Sequence, residues 1–307
     1  SHHIYNPRDV EKFEISINAV VENDDMLLEC AYNTDLFEAD KMHHRLTELD
    51  EMMASIAENP LRVLEQAQPS QETPFFFGPI EKQMFGTFYS GKPSANFAVL
   101  ICPPLGQEYM RTHWLIRNIA SSLNRKGAPV MRFDFYGQGD SSGETRQARL
   151  NDITGSLIHA AQELRTRSGQ RQIQLIAFRA SALVAEHCRA KLGPDVKLIY
   201  IDPPQSGAEY IQQLRKVQSD YWTEAFYHRN EKIRLNNSQY EELIGTVYSQ
   251  EYIRELLNLR GVDAHSGLTL SISPSAGWSD HHKFDNIFLS PGLLRELQSA
   301  VFEEVAQ

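Results

Sequence analysis

From about residue 75 to the C-terminus the sequence predicts a domain of class α/β, and three observations support this prediction. Apolar runs of strand length alternate with segments of helical periodicity. The run at residues 97–101 is apolar at every position, which is typical of a strand covered on both faces. The run at residues 173–177 leads into a turn of small residues and then a helix. Such an order predicts right-handed crossovers and a mostly parallel sheet with helices on both faces.

The predicted elements follow one another with short connections. The strands are predicted at residues 97–101, 130–133, 173–177, 196–201 and 268–272. The helices are predicted at about residues 109–125, 151–165, 180–192 and 291–305. Residues 207–260 are mostly helical in periodicity and lack a strand pattern. We therefore expect a helical cap at about 207–260, over the carboxyl edge of the sheet.

Residues 1–66 have a different pattern. Apolar and polar residues alternate over 13–21 and again over 26–32, with a polar turn between them, and this predicts a β-hairpin. A helix is predicted to begin at Thr34 or Asp35 and to end before Asn59. Residues 67–74 are polar, include a proline and are predicted to be a linker before the domain at 75–307. A hairpin with one helix buries little apolar surface, so this segment should depend on another body for stability.

Composition excludes several classes of function. The 307 residues carry a formal net charge of −10, which argues against nucleic-acid partners and against an anionic membrane surface. The sequence has no apolar run of roughly 18 residues that could span a bilayer and no basic-then-apolar leader. Its 3 cysteines lie far apart and do not have the spacing of metal ligands. These features predict a cytoplasmic protein.

Three loops are predicted to follow the carboxyl ends of parallel strands and therefore to meet at one edge of the sheet. Ligands of parallel sheets bind at this edge. The first is CPPLGQE at residues 102–108, and the second is DFYGQGDSSG at residues 134–143. The third is the turn that follows residues 173–177. The glycines of the second loop do not have the spacing of a dinucleotide fingerprint, so we expect no nucleotide cofactor.

Arg179 is predicted to stand at the apex of the third loop. A sharp strand-to-helix turn needs small residues two positions before and two after its apex, and Ala177 and Ser181 meet that need. In the alternative register Ser181 would be the apex, which would place Arg179 and Leu183 at the crowded flanks. The first register is therefore sterically better, and it leaves no hydroxyl where this turn usually carries a nucleophile.

These segments resemble the α/β-hydrolase superfamily. Within it they are most similar to the serine-aminopeptidase-like branch that includes the exosortase A system-associated hydrolases, one group of which also carries arginine in place of the serine. The likeness covers most of residues 75–205, fades over the cap and recurs faintly at 279–294. The resemblance implies an α/β-hydrolase fold with a helical cap.

The resemblance also implies roles for the loop residues. Backbone N–H groups of Leu105 or Gly106 and of Ala180 would form an oxyanion hole. Glu108, Tyr136 and Asp140 lie on the first two loops and are predicted to line the substrate site.

The acid and the histidine of a catalytic triad are harder to place. Asp202, at the end of a predicted strand, could be the acid. His281 or His282, after the last predicted strand, could be the histidine. The sequence looks shortened in this region, and one strand of the usual sheet is hard to find, so a complete triad is in doubt. The pair of histidines has no partner at zinc-ligand spacing, and we expect no metal.

The segment before the domain resembles a different family. Residues 14–40, with AYNTDLFE at 31–38, are similar to the end of a condensation domain from a nonribosomal peptide synthetase. The catalytic His-His-x-x-x-Asp motif of such domains is not present. This resemblance implies partners of a biosynthetic kind, namely other synthetase domains and an acyl or peptidyl carrier protein with a phosphopantetheine arm.

Two interpretations of Arg179 remain open at this point. Its guanidinium could anchor a carboxylate or phosphate, or it could be a structural group paired with Glu108 or Asp140. Cys102 could serve as another nucleophile, although free cysteines are mostly buried small apolar residues. The domain is accordingly either a thioesterase- or acyltransferase-like enzyme without an acyl-serine, acting on a carrier-bound group, or a degenerate pseudoenzyme that binds or scaffolds.

Overall fold

The structure is a computed structural model that divides the chain into two compact units, residues 1–68 and 69–307, here named the N-terminal and the C-terminal unit. In the N-terminal unit it describes residues 15–22, 25–32, 42, 43, 46, 47 and 49. In the C-terminal unit it describes residues 72–224, 238–263, 267–272, 278 and 291–302.

The N-terminal unit contains the predicted hairpin. Strand β1 (Ile15–Glu22) pairs antiparallel with β2 (Asp25–Tyr32), and Glu22 lies opposite Asp25. Most of the helix predicted after the hairpin lies outside the described residues. The few described positions there are helical, and the Thr47 hydroxyl donates to the His43 carbonyl at 3.0 Å.

A seven-stranded sheet forms the centre of the C-terminal unit. Its strands are β3 (Glu72–Phe77), β4 (Met84–Tyr89), β5 (Ala98–Cys102), β6 (Val130–Phe133), β7 (Ile173–Phe178), β8 (Val196–Ile201) and β11 (Leu268–Leu270). They lie in the order β3-β4-β6-β5-β7-β8-β11. Only β4 runs antiparallel to its two neighbours, so the sheet is mostly parallel, as predicted.

Helices cover both faces of this sheet. The helices of the described residues are α1 (Gln107–Arg125), α2 (Leu150–Ser168), α3 (Ala180–His187), α4 (Arg189–Leu192), α5 (Gly207–Glu224), α6 (Gln250–Leu257) and α7 (Pro291–Phe302). Alternate strand residues face opposite sides because side chains on a strand have a period of two. Leu100 and Leu175 pack towards α2 and α3, whereas Ile101 and Ile176 pack towards α1 and α7. This arrangement confirms the predicted fold class.

Some predicted boundaries were wrong. Strand β3 begins at Glu72, inside the predicted linker at 67–74, and β4 was not predicted. The sequence does not indicate β3 because this short edge strand ends in three consecutive phenylalanines and so lacks an alternation of polar and apolar residues. The helix predicted at 180–192 is divided into α3 and α4 at Cys188, whose backbone leaves helical geometry at φ −103° and ψ 13°.

The cap is less helical than predicted. It contains α5 and α6, but between them lies a hairpin of β9 (Tyr240–Leu243) and β10 (Thr246–Ser249). Ile244 and Gly245 form the two-residue turn with φ of 51° and 74°. Positive φ at both central residues is the geometry that joins hairpin strands tightly. Among the helices of the described residues, none is long and apolar enough to cross a membrane.

Candidate functional site

The three predicted loops come together at the carboxyl ends of β5, β6 and β7. The Gln138 side-chain N–H donates to the Pro104 carbonyl at 2.9 Å and joins the second loop to the first. The Ser181 hydroxyl donates to the Pro103 carbonyl and joins the third loop to the first. These bonds fix the loops against one another at the edge where parallel sheets bind ligands.

Arg179 lies at the apex of the turn between β7 and α3. Its backbone has φ 52° and ψ −130°, a conformation that costs a residue with a side chain about 1–3 kcal/mol. The turn is held by the Arg179 N–H, which donates to the Ile201 carbonyl at 2.8 Å, and by the Ala182 N–H, which donates to the Arg179 carbonyl at 3.0 Å. Ala177 and Ser181, both fully buried, provide the small flanks that the sharp turn requires.

The Arg179 guanidinium is only 4% exposed and is held on three sides. Its Nε donates to Glu108 Oε1 at 3.0 Å, and its Nη1 donates to the Asp202 carbonyl at 3.0 Å. Its Nη2 donates to Gln213 Oε1 of the cap helix α5 at 2.6 Å. Of the two partners suggested by the sequence, the structure therefore selects Glu108 and not Asp140.

Trp278 covers the guanidinium from another side. Its ring centroid lies 4.8 Å from the Arg179 Cζ and 5.4 Å from the Arg111 Cζ, both within the range of cation–π attraction. Its indole N–H donates to Asp202 Oδ2 at 2.9 Å. Trp278 therefore fixes two arginines and one carboxylate, a role that its place in a loop-like sequence did not indicate.

Glu108 is a buried carboxylate with one unsatisfied oxygen. It lies in the first turn of α1 and is 4% exposed. Oε1 accepts from Arg179, whereas Oε2 has no hydrogen-bond partner among the described residues. Burial raises the pKa of Glu108, and the neighbouring Arg179 opposes that rise. A buried acceptor without a donor is costly, so this oxygen needs an explanation.

Asp202, which is predicted to be the acid of a triad, accepts hydrogen bonds on both oxygens of its carboxylate. Oδ1 accepts from the Ser271 hydroxyl at 2.6 Å, and Oδ2 accepts from the Trp278 indole and from the Ile272 N–H at 3.3 Å. Its backbone φ is 46°. In the part of the chain that the structure describes, Asp202 thus anchors the segment after β11 to the end of β8.

The first loop has the tight geometry expected before α1. Gly106 has φ 59°, and a Cβ there would lie 2.0 Å from the Tyr248 hydroxyl oxygen, so only glycine fits. The Tyr210 hydroxyl donates to the Leu105 carbonyl at 3.4 Å. Tyr210 and Tyr248 both belong to the cap, which therefore reaches the loop, and both are fully buried.

The second loop is organised by Asp134 and not by the residues predicted to bind substrate. Asp134 accepts from the Tyr109 hydroxyl at 2.8 Å and from the Asp140 N–H at 3.0 Å. The Asp140 residue is exposed, and the Tyr136 ring packs beside Gly143 and 5.4 Å from Lys82 Nζ. The structure therefore places neither Asp140 nor Tyr136 in the group of residues around Arg179.

Two alternative nucleophiles lie in unfavourable surroundings. Cys102 is fully buried at the end of β5, and burial raises the pKa of its thiol well above the usual value. Ser181 is fully buried in α3 and its hydroxyl donates to Pro103.

His281 and His282, the histidines predicted for a triad, lie outside the described residues. Ala180 is the buried first residue of α3, as its predicted position requires.

Several residues around Arg179 were not predicted from the sequence. These are Arg111, Gln213, Trp278 and the hydroxyls of Tyr210 and Tyr248. They come from α1, the cap and the segment after β11, and their convergence depends on tertiary packing. Among the described residues, no group of three or more His, Cys, Asp or Glu side chains could hold a metal ion.

The mostly parallel sheet, the helices on both faces and the sharp turn between β7 and α3 define an α/β-hydrolase fold for the C-terminal unit. No protein-family model matches the chain, and no curated protein matches it. The chain is similar to Est1E from Butyrivibrio proteoclasticus, solved with ferulic acid bound, at 14% identity and a TM-score of 0.49 over 76% of this chain and 98% of that chain. It is also similar to XC6422 from Xanthomonas campestris, an α/β serine hydrolase without a lid, at 16% identity and a TM-score of 0.44 over 78% and 95%.

Proposed function

We propose that the C-terminal unit is a catalytically degenerate α/β-hydrolase domain that binds a ligand and forms no acyl-serine intermediate. One observation carries this proposal: Arg179 stands at the apex of the turn after β7, where enzymes of this fold carry their nucleophile. A guanidinium stays protonated in proteins and has only donors, so it cannot attack a carbonyl carbon.

The partners of Arg179 support the same proposal. Glu108, the Asp202 carbonyl and Gln213 each accept a hydrogen bond from the guanidinium and hold it in place. A buried pair of this kind is expensive to desolvate and is strongly destabilising to break from one side. We infer that the pair took over the position of the catalytic serine and became part of the domain's own packing.

A fluorophosphonate probe tests this proposal, because it labels activated serines covalently. We expect no labelling of the full chain and no hydrolysis of a short-chain p-nitrophenyl ester above the buffer rate. Arg179→Ser and Ser181→Ala are the matched variants, one adding a hydroxyl at the apex and the other removing the nearest one. Stoichiometric labelling of the wild type that Ser181→Ala abolishes would contradict the proposal.

A second candidate function is an acyltransferase- or thioesterase-like reaction on an acyl or peptidyl group held by a carrier protein. The strained turn at Arg179 supports it, because a purely structural arginine does not need φ 52°. The likeness of residues 31–38 to a condensation domain supplies the biosynthetic context. Here Arg179 would stabilise developing negative charge together with the N–H groups of Gly106 and Ala180, and His281 or His282 would be the base.

Titration of the full chain with an acylated holo carrier protein separates the two candidates. Transfer or hydrolysis of the acyl group that is lost in Arg179→Lys would favour the enzyme. Association without turnover would favour the binding domain. If neither association nor turnover occurs, the carrier protein is excluded as a partner. The proposal that no acyl-serine forms does not depend on this result, because the fluorophosphonate experiment tests it separately.

A further inference from the structure

Gln213 has an unusual position, because its carboxamide stands between opposite charges. Its Oε1 accepts from Arg179 Nη2 at 2.6 Å, and its Nε2 donates to Glu209 Oε1 at 3.0 Å. The orientation of the amide follows from its partners, since a guanidinium only donates and a carboxylate only accepts. One neutral group therefore presents an acceptor to a cation and a donor to an anion.

The Glu108 carboxylate and this carboxamide bind the same edge of the Arg179 guanidinium. Arg179 Nε and Nη2 form one edge of the guanidinium, and they bind Glu108 and Gln213 respectively. Acceptors on adjacent donors of one guanidinium are neighbours, as in the bidentate pairing of a carboxylate. A group in the place of the carboxamide would consequently lie beside Glu108, whose Oε2 has no donor among the residues that the structure describes.

The side of Gln213 is one of the partly exposed sides of Arg179. Gln213 and Glu209 are partly exposed, whereas Glu108 and Arg179 are buried. Both belong to α5, on the cap, and lie one helical turn apart. A rotation of the Gln213 side chain would uncover Arg179 Nη2 without disturbing the salt bridge to Glu108.

We propose that the site binds a free α-amino acid, whose carboxylate replaces the Gln213 carboxamide on Arg179 and whose ammonium group donates to Glu209 and to the unpaired oxygen of Glu108. This inference names the ligand class of the binding domain proposed above and rests on that proposal. In the absence of the ligand, the Gln213 carboxamide takes the place of the zwitterion. Its oxygen accepts from Arg179 as the ligand carboxylate would, and its N–H donates to Glu209 as the ligand ammonium would.

Charge selects a zwitterion over simpler ligands. Replacing a neutral carboxamide by a zwitterion leaves the net charge of the site unchanged. A carboxylate alone would meet Glu108 and Glu209, and an amine alone would meet Arg179 and Arg111. The ligand must also satisfy Glu108 Oε2, and only a group with donors can do so.

Isothermal titration calorimetry of the full chain tests the proposal with L-phenylalanine, L-leucine and L-serine as probes. Hydrocinnamate, which lacks the ammonium group, and phenethylamine, which lacks the carboxylate, are the matched analogues of L-phenylalanine. We expect at least one amino acid to bind, and each analogue of a bound amino acid to bind at least about tenfold more weakly, a difference of about 1.4 kcal/mol.

Substitutions at Gln213 then test the displacement. Gln213→Ala removes the internal competitor and should tighten binding, while Gln213→Glu supplies a permanent carboxylate to Arg179 and should abolish it. Gln212→Ala, the exposed neighbour on α5, is the control and should leave affinity unchanged. Thermal unfolding of each variant establishes that it is folded before it is titrated.

The proposal is overturned if none of the amino acids binds to the wild type or to folded Gln213→Ala at millimolar concentration. It is equally overturned if hydrocinnamate binds as tightly as L-phenylalanine, because the ammonium group then has no role. Neither result alters the fluorophosphonate outcome, so failure of this inference and failure of the proposed function can be told apart.

Discussion

The two buried carboxylates of the site, Asp134 and Glu108, differ in how completely they are hydrogen-bonded. Each oxygen of Asp134 has a donor, the Tyr109 hydroxyl on one and the Asp140 N–H on the other. Within the described part of the chain, Glu108 has a donor on Oε1 only. Native proteins satisfy nearly all buried polar atoms, so a fully bonded carboxylate indicates a structural loop. At Glu108 we interpret the missing bond as the one that the proposed ligand contributes.

The surroundings of the two carboxylates can be compared in packing and in the exposure of the neighbouring side chains. The Asp134 loop is packed so closely that a Cβ at Gly139 would lie 2.2 Å from Asp134 Oδ2. The region of Glu108 instead borders a cap with partly exposed side chains, Gln213 and Glu209. Close packing is common to both loops, since Gly106 beside Glu108 also leaves no room for a Cβ, so the difference lies in the exposure of the neighbouring side chains.

The largest expected effect is that of Glu108→Ala. It leaves the Arg179 guanidinium buried without its counter-charge, and breaking a buried pair from one side costs about 3–5 kcal/mol. Urea denaturation followed by tryptophan fluorescence measures this loss in the free energy of unfolding. Arg171–Asp195, an exposed pair, is the matched control, and Asp195→Ala should have a much smaller effect.

A loss below about 1 kcal/mol for Glu108→Ala would mean that Arg179 finds water or another partner when Glu108 is gone. The apex would then be solvated, and the comparison with the sealed Asp134 loop would no longer hold. The double variant Glu108→Ala with Arg179→Met sharpens the test. Removing both charges should recover a substantial part of the stability lost in the single variant.

Tyr109→Phe should have an intermediate effect. It removes the hydroxyl that donates to Asp134 Oδ1 and leaves a buried acceptor with one donor fewer, at a cost of about 1–3 kcal/mol. Urea denaturation again gives the change. If the loop after β6 is structural, as we argue, amino-acid binding by the same variant should change less than it does in Glu209→Gln.

Much of this arrangement could be predicted from the sequence because it depends on local patterns. The small flanks Ala177 and Ser181 indicate the sharp turn and place Arg179 at its apex, as the structure finds. Apolar runs at fixed spacing likewise indicate the parallel strands. These signals lie within a few residues of the feature that they predict, so no knowledge of packing is required.

Glu108 was one of the two partners that the sequence suggested for Arg179, but Gln213 could not be predicted in the same way. Gln213 is separated from Arg179 by α3, α4 and β8, and no local pattern marks a glutamine that reaches an arginine 34 positions earlier. The cap hairpin is a different case. Thr246-Val247-Tyr248 is a run of two β-branched residues and one aromatic residue that follows the turn residue Gly245. Helical periodicity in the flanking segments obscured this strand signal.

The smallest expected effect concerns the edge of the cap. Glu255 of α6 accepts from the Arg149 guanidinium at 2.7 and 3.2 Å and from the Leu150 N–H at 2.8 Å, and so joins the cap to the start of α2. Although burial opposes the shift, these hydrogen bonds lower the pKa of Glu255. Glu255→Gln should destabilise the chain less than Tyr109→Phe, because Arg149 and Glu255 are both partly solvated.

The pH dependence of that loss has a definite sign. A carboxyl whose pKa is lowered by folding stabilises the native state above its unfolded pKa of about 4.3, and that contribution disappears as the pH falls through the lowered value. The difference in unfolding free energy between wild type and Glu255→Gln should therefore shrink on acidification. Asp134 provides the contrast, because burial raises its pKa and the native state takes up its proton first. The stability of the wild type relative to Asp134→Asn should therefore rise as the pH falls. If the pH trends of Asp134→Asn and Glu255→Gln were equal, the buried Asp134 and the partly solvated Glu255 would not differ as we argue.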